Sequence, residues 1–180
     1  MSAPSSLRDL PIKLRDDPAV LRLLGRSSAV LSVPDHGRAY VIAGLAASST
    51  RRPFVVAVPT TADAERLYRD LQTYLGDVEL FPAWETLPFE RVSPNVETMG
   101  RRMRTIHRLH HDPPAVIVAP VRALVQRLGP HLEDVQPITI HPGERRDRDD
   151  LLASLVGVGY RREEQVEHRG EVAVRGSIVD

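Results

Sequence analysis

Two short apolar runs restrict the possible folds of this chain more than any other feature. Residues 52–59 read RPFVVAVP and residues 114–120 read PAVIVAP, without polar alternation. Such runs are typical of strands buried on both faces of a parallel sheet. Segments with helical periodicity follow them, at 61–76 and 121–128. Because strands alternate with helices across residues 29–128, the sequence predicts a parallel α/β sheet flanked by helices.

Further elements complete this expected domain. The runs AVLSV at 29–33 and VELF at 78–81 are predicted strands, and a helix is predicted at 37–47. Another helix is predicted over 96–111, with an apolar stripe facing the core and arginines facing solvent. Its expected buried residues are Val96, Met99, Met103 and Ile106, and its expected exposed residues are Arg101, Arg102, Arg104 and Arg108.

The pattern changes after residue 128 and predicts a second domain. Residues 1–25 form an expected N-terminal helical segment and residues 26–128 the α/β domain. In residues 129–180 we expect a strand in QPITIHPGE, a helix in DRDDLLASLVGVG and a hairpin that turns at Arg169–Gly170. Helix plus hairpin is an α+β arrangement. The chain stops at Asp180 within a predicted strand, so we expect this second domain to be truncated.

Composition removes several classes of function. Lys and Arg number 24 and Asp and Glu number 24, so no overall field favours nucleic acid. The absence of cysteine excludes disulfides and thiolate metal sites. His107 and His111 have i,i+4 spacing, but no H-E-x-x-H motif accompanies them, and we expect no metal site. With no secretory signal and no apolar run near the ~20 residues of a membrane span, we expect a cytoplasmic protein.

A degenerate phosphate-binding motif lies between the first predicted strand and helix. The P-loop pattern is G-x-x-x-x-G-K-[ST], whereas residues 32–39 read SVPDHGRA. Ser32 replaces the first glycine, Arg38 replaces the lysine and Ala39 offers no oxygen to a metal; only Gly37 matches. Pro34 also removes a backbone donor. On the residues alone this stretch is either an ordinary strand-to-helix turn or a degenerate P-loop, and no catalytic residue is predicted.

A proline-rich loop carries the only tryptophan, Trp84. Its aromatic residues, which include Phe81 and Phe89, are compatible with either a ligand-stacking loop or a loop anchored by its own side chains. We expect Trp84 to pack at the edge of the sheet as an anchor.

Three stretches indicate a family. They are FPAWETLPFERVSPN at 81–95, VIVAPVRALVQRLGP at 116–130 and GYRREEQVEHRGEVAVRGSIVD at 159–180. In this order they closely resemble the N-terminal region of bacterial transcription-repair coupling factors (Mfd), over about residues 26–180. The last stretch also resembles UvrB, which has a similar hairpin.

The resemblance implies a helicase-like sheet with a degenerate P-loop, made of Ser32, Gly37, Arg38 and Ala39, followed by part of a UvrA-binding domain. It implies recruitment of UvrA to stalled RNA polymerase in transcription-coupled excision repair, without catalysis in this part. In the family, RNA polymerase and double-stranded DNA bind to other domains, and ATP and Mg²⁺ serve a separate C-terminal motor. UvrB also carries a longer, tyrosine-rich hairpin in the region matching 82–97, which implies that damage verification is absent here.

The resemblance also implies partner-binding residues. Arg162 and Arg175 match arginines of the UvrB hairpin that engage UvrA, and Arg169 lies at the expected turn. A two-residue turn at 169–170 would place Glu164 opposite Arg175 and Arg162 opposite Ser177. Side chains alternate along a strand, so the apolar residues of the hairpin would share the opposite face: Val172, Val174 and Ile178.

Two alternatives remain open at this point. One is an ATP-dependent, UvrB-like helicase fragment; against it stand Arg38 and Ala39 and the lack of an acidic pair after AVIVAP. The other is a DNA-binding module that uses the arginines of 101–108, whose solvated helix face is the simpler interpretation.

Overall fold

The structure is a computed structural model that describes residues 6–86, 95–129, 132 and 135–180. A three-stranded sheet forms the centre of the first domain: β1 (Phe54–Val58), β2 (Val78–Leu80) and β3 (Val116–Pro120). The spatial order is β1-β3-β2, and both neighbouring pairs are parallel. The predicted parallel α/β sheet is confirmed.

Six α-helices lie in the described part of the chain. They are α1 (Pro18–Leu23), α2 (Arg38–Ser48), α3 (Thr61–Tyr74), α4 (Val96–His111), α5 (Val121–Val125) and α6 (Arg148–Gly157). Side-chain oxygens accept hydrogen bonds from the first free N–H groups of four of them, from Asp17, Thr60, Asn95 and Asp147. Such caps explain why these helices begin where they do.

The sheet has an apolar core on each face. On one face, α2 and α3 bury small and aliphatic side chains such as Ala43 and Leu71 against Val116 and Val118 of β3. On the other face, Ile106 of α4 packs in a cluster with side chains of β3 and α5. β3 is buried at all five positions, because it has a strand on each side and a helix layer on each face.

β1 differs from the prediction of a strand buried on both faces. It is an edge strand, and alternate residues are exposed, with Val55 at 56%. The side chain of Val55 points to the same face as Ile117 of β3, which the α4 cluster covers. Among the described residues, the side chains of this cluster do not extend over β1. An apolar run in the sequence does not show how far a helix layer extends over a sheet.

Two predicted strands are not formed. Residues 29–33 are irregular, and Val30 is 98% exposed. A 3₁₀ turn at Asp35–Gly37 leads directly into α2 and leaves Leu31 and Val33 beside this helix, in a groove with Val41. Residues 136–141 are likewise irregular. An apolar segment becomes a strand only where the chain brings it to a free sheet edge.

Helix α4 is present as predicted, but its buried face is different. Arg102 is 1% exposed, and Thr98, Thr105 and Ile106 are buried with it. The expected core residues Val96 and Met99 are 46% and 41% exposed. The prediction is confirmed for Ile106 and for the exposed Arg101 and Arg104, and it was wrong for Val96, Met99 and Arg102. Arg102 is buried because its guanidinium lies over two aromatic rings, as described below.

The predicted hairpin at Arg169–Gly170 is also wrong. β4 (Arg161–Arg162) pairs in parallel with β5 (Glu171–Val172), and β6 (Val174–Arg175) pairs antiparallel with β7 (Ile178–Val179). Residues 169–170 do form a turn, closed by the hydrogen bond from Glu171 N to the carbonyl oxygen of His168, but the antiparallel pair turns at 176–177, where Gly176 has a positive φ of 62°.

This pairing changes the predicted cross-strand neighbours. Arg162 lies opposite Val172, and Arg175 lies opposite Ile178, so neither expected pair forms. The expected apolar face is not formed either, since Val172 is 1% exposed whereas Ile178 is 65% exposed. Two separate pairs of two-residue strands therefore replace the single long hairpin.

Candidate partner-binding site

The three arginines predicted to bind a partner are all exposed. We call Arg162, Arg169 and Arg175 the arginine surface. Arg162 and Arg169 lie at the two ends of the loop 163–170, which joins β4 to β5. Arg175 reaches the same loop, because its Nη2 donates to Gln165 Oε1 at 3.2 Å. The structure therefore brings all three arginines to one loop, although by a route that differs from the predicted hairpin.

The three arginines differ in the partners that their side chains have within the chain. Arg169 Nη1 lies 3.9 Å from Glu97 Oε1 at the start of α4, a long contact between exposed groups. Arg162 makes no hydrogen bond or ion pair with any of the described residues. An exposed guanidinium without an internal partner keeps its fork of donors for a carboxylate of another molecule.

Sequence reasoning missed Glu171, the first residue of β5, whose carboxylate reaches back to the 163–170 loop. Its side chain is 8% exposed. Oε2 accepts hydrogen bonds from the backbone N–H of Glu167 at 2.9 Å and of His168 at 2.8 Å. These two bonds lower the pKa of the Glu171 carboxyl, with smaller contributions from His168 and Arg161. The sequence held no signal for this role, because an acid at the start of a short strand is ordinarily solvated.

The loop also contacts the first domain. Gly170 has φ of +85°, and a Cβ at this position would lie 3.3 Å from Val96 Cγ1 of α4. Next to this contact, a hydrogen bond from Arg101 and the charge of Arg169 lower the pKa of Glu97. The N-terminal turn of α4 thus forms one wall for the turn that carries Arg169.

Trp84 is held at both its backbone and its ring, although the ring contacts Arg102 of α4, whereas a position at the edge of the sheet was predicted. Its backbone N–H donates to Gln126 Oε1 at 2.8 Å, and Gln126 Nε2 donates to its carbonyl oxygen at 3.3 Å. The Arg102 guanidinium lies 4.2 Å from the Phe81 ring centroid and 4.6 Å from that of Trp84. Its Nη1 donates to the carbonyl oxygen of Pro82 at 2.7 Å. Cation–π contacts on two rings hold the described part of the loop against α4.

A cleft of about 490 Å³ opens beside this loop, at the carboxyl ends of β2 and β3. Open α/β sheets bind ligands at this edge. Charges of both signs line the cleft, including Glu65 and Arg122. Arg101 Nη2 lies 2.8 Å from Glu97 Oε1, and Thr98 Oγ1 donates to Glu85 Oε1 at 2.6 Å. The described lining therefore favours no single class of ligand.

The degenerate P-loop has a backbone unlike that of a phosphate cradle. Gly37 has φ of −91°, and its N–H donates to the carbonyl oxygen of Pro34 at 2.9 Å. Arg38 Nη2 lies 2.7 Å from Asp35 Oδ1, and Ala39 is 5% exposed within the core. A P-loop instead requires free N–H groups that converge on phosphate, together with a metal-binding hydroxyl.

The arginines of α4 are mostly engaged with acids of the same domain. Arg108 Nη2 lies 2.7 Å from Asp77 Oδ1, and Arg108 Nη1 lies 3.0 Å from Glu79 Oε1. Arg104 Nε lies 3.1 Å from the same Glu79 oxygen. These pairs attach α4 to β2 and neutralise the charge that a DNA-binding face would need.

His107 and His111 stack, with ring centroids 4.1 Å apart, but the described residues include no group of three potential metal ligands. No helix in the described ranges is long and apolar enough to cross a membrane.

Comparison with known proteins agrees with this architecture. Residues 138–180 match the family model of the UvrB interaction domain. The chain therefore carries a segment of the UvrB interaction domain type, and this segment contains the whole arginine surface.

Relatives extend the similarity to the first domain. The chain is 39% identical over 158 residues to a transcription-repair-coupling factor of Mycobacterium tuberculosis, covering 83% of this chain and 13% of that protein. It is 32% identical over 130 residues to the factor of Escherichia coli, covering 71% of this chain and 11% of that protein. This chain belongs to the family of transcription-repair-coupling factors. It spans about an eighth of the length of these relatives.

Proposed function

We propose that this chain recruits UvrA to stalled RNA polymerase, as the UvrB-like module of a longer coupling factor in transcription-coupled excision repair. One observation carries the proposal: the residues that match the UvrB interaction domain, 138–180, expose three arginines around a single loop. Arginine is often an interface hot spot, because its planar guanidinium can donate two parallel hydrogen bonds to one carboxylate. The contact would be made by Arg162 and Arg175, with a smaller share for Arg169.

The test is a titration of UvrA onto the 180-residue chain. Arg162→Glu and Arg175→Glu should each weaken binding by at least about 2 kcal/mol, or roughly 30-fold, because repulsion replaces a charged hydrogen bond. Arg169→Glu should act more weakly. The matched control is Arg145→Glu, an exposed arginine of the same domain that lies outside the loop. Unchanged affinity of both the Arg162 and Arg175 variants would remove the arginine surface from the interface.

We also propose that the helicase-like P-loop is degenerate in function and that this chain has no ATPase activity. The buried methyl group of Ala39 and the internal hydrogen bond of Gly37 support this proposal. Binding of RNA polymerase and double-stranded DNA, and ATP and Mg²⁺ chemistry, would belong to other parts of the coupling factor, in the cytoplasm. Calorimetric titration with ATP and Mg²⁺ tests the proposal, and tight Mg²⁺-dependent binding would contradict it.

A further inference from the structure

The connection between β4 and β5 is unusually short for its geometry. Parallel strands ordinarily need a crossover of roughly a dozen residues or more, most often a helix. Here residues 163–170 make the connection without helix or strand. The N–H of Glu163 donates to the carbonyl oxygen of Val172 at 2.9 Å, but Glu167 and His168 lie outside the ladder, and a side chain supplies the acceptor for their N–H groups.

The Glu171 carboxylate supplies two of them from one oxygen. Oε2 accepts the N–H groups of Glu167 and His168, at 2.9 Å and 2.8 Å. Oε1 lies 3.4 Å from Arg161 Nη2 and 3.5 Å from His168 Nδ1. The backbone adds a further bond, from Glu171 N to the carbonyl oxygen of His168 at 3.3 Å. One carboxylate thus closes the turn immediately before Arg169.

The Glu171 side chain offers little surface for direct contact with a partner. Its side chain is 8% exposed, whereas the neighbouring Arg161 side chain is 71% exposed. On the other side, the turn lies close to α4, because Arg169 Nη1 is 3.9 Å from Glu97 Oε1 and a Cβ at Gly170 would be 3.3 Å from Val96 Cγ1. A turn held from both sides needs no ordering when a partner binds, which favours affinity.

We propose that Glu171 is a positioning residue for partner recognition: it holds the 167–170 turn so that the arginine surface is ordered before UvrA binds. This inference rests on the proposed function. It attributes part of the affinity for UvrA to a side chain that acts by holding the arginine surface and not by touching the partner. Glu171→Ala removes both acceptors and should weaken UvrA binding by about tenfold or more. Glu171→Gln keeps an oxygen for the two N–H groups and should lose less than about threefold.

Glu167→Ala is the matched control. It removes the same charge from the same loop, from an exposed side chain, and leaves its backbone N–H in place. Its affinity should change by less than about twofold, because a screened exposed charge contributes little. Parity between Glu167→Ala and Glu171→Ala would show that charge rather than positioning sets the affinity, and would overturn the proposal.

The experiment has a second readout that does not depend on the partner. Amide hydrogen exchange in the 180-residue chain should show loss of protection at Glu167 and His168 in Glu171→Ala, and retained protection in Glu171→Gln. This pattern, together with the ranked affinities, supports the proposal. If the two amides lose protection but UvrA affinity stays at the wild-type level, the turn is not needed for recognition and the proposal fails.

Failure of the proposed function gives a different result. In that case the wild-type chain would not bind UvrA, and the positioning role would fall with it. If Glu171→Ala does not fold, Glu171→Gln decides the outcome, because a tenfold loss with intact amide protection would contradict the role of the two hydrogen bonds.

Discussion

In the first domain, helices on both faces of a sheet bury apolar side chains, whereas the C-terminal region is stabilised mainly by polar contacts. The apolar clusters of the first domain involve β1 to β3 and helices α2 to α5. Among the described residues of 135–180, the buried apolar side chains are Leu152, Val172 and Ala173. In place of a large core, Asp147 caps α6 and Glu171 closes the loop of the arginine surface. We infer that packing of apolar side chains stabilises the first domain, whereas a few specific hydrogen bonds order the 163–170 loop.

The largest expected effect tests whether the two regions unfold separately. Leu71→Ala, at a fully buried site, should lower the free energy of unfolding of the first domain by about 3 kcal/mol. Leu152→Ala should loosen residues 135–180 and leave the first domain unchanged, as measured by hydrogen exchange for each region. Equal loss of protection in both regions, for either variant, would show one cooperative unit and contradict the comparison.

A similar effect is expected at the aromatic pair that contacts Arg102. Trp84→Ala should destabilise the first domain by roughly 2–4 kcal/mol, because a large ring and one face of the guanidinium contact are lost. Trp84→Phe, which keeps a ring over Arg102, is the control and should lose less. Thermal melting measures both variants. A Trp84→Ala protein that melts like wild type but loses a partner would identify a ligand-stacking loop instead.

The smallest effect concerns pH. Hydrogen bonds from Glu167 and His168 lower the pKa of Glu171 in the folded chain, with Arg161 and the His168 ring facing the same carboxyl. The order that Glu171 gives to the loop is therefore present above the pKa of an unfolded glutamate and is lost as pH falls through the lower, folded pKa. NMR titration of the two amides should show a midpoint below that of a free glutamate. An ordinary midpoint would contradict the role of these bonds.

Much of the first domain could be predicted because its patterns are local. The apolar runs and the helical periodicity of 61–76 and 96–111 place β1 to β3, α3 and α4 near their observed positions. The errors fall where another part of the chain decides. Residues 29–33 have the composition of a strand but lie beside α2, and Arg102 has the charge of a surface residue but is buried between two rings.

The candidate site divides in the same way. The arginine surface came from a resemblance carried by a short segment, and its exposure agrees with the structure. The prediction of a hairpin was wrong. Arg169–Gly170 is a good turn sequence, but the strands on either side of the 163–170 loop pair in parallel. Glu171 was missed, since its role depends on which N–H groups the loop brings to its carboxylate.

The sequence by itself determined the class of sheet, the family and the absence of a metal-binding hydroxyl at Ala39, because these depend on residue type and spacing along the chain. Only the tertiary structure decided that β1 is an open edge, that the Arg102 guanidinium lies over the rings of Phe81 and Trp84, and that the Glu171 carboxylate accepts two N–H groups of the 163–170 loop. The physical reason is that burial and hydrogen-bond pairing are properties of groups distant in sequence, and their free energy depends on packing that no local pattern contains.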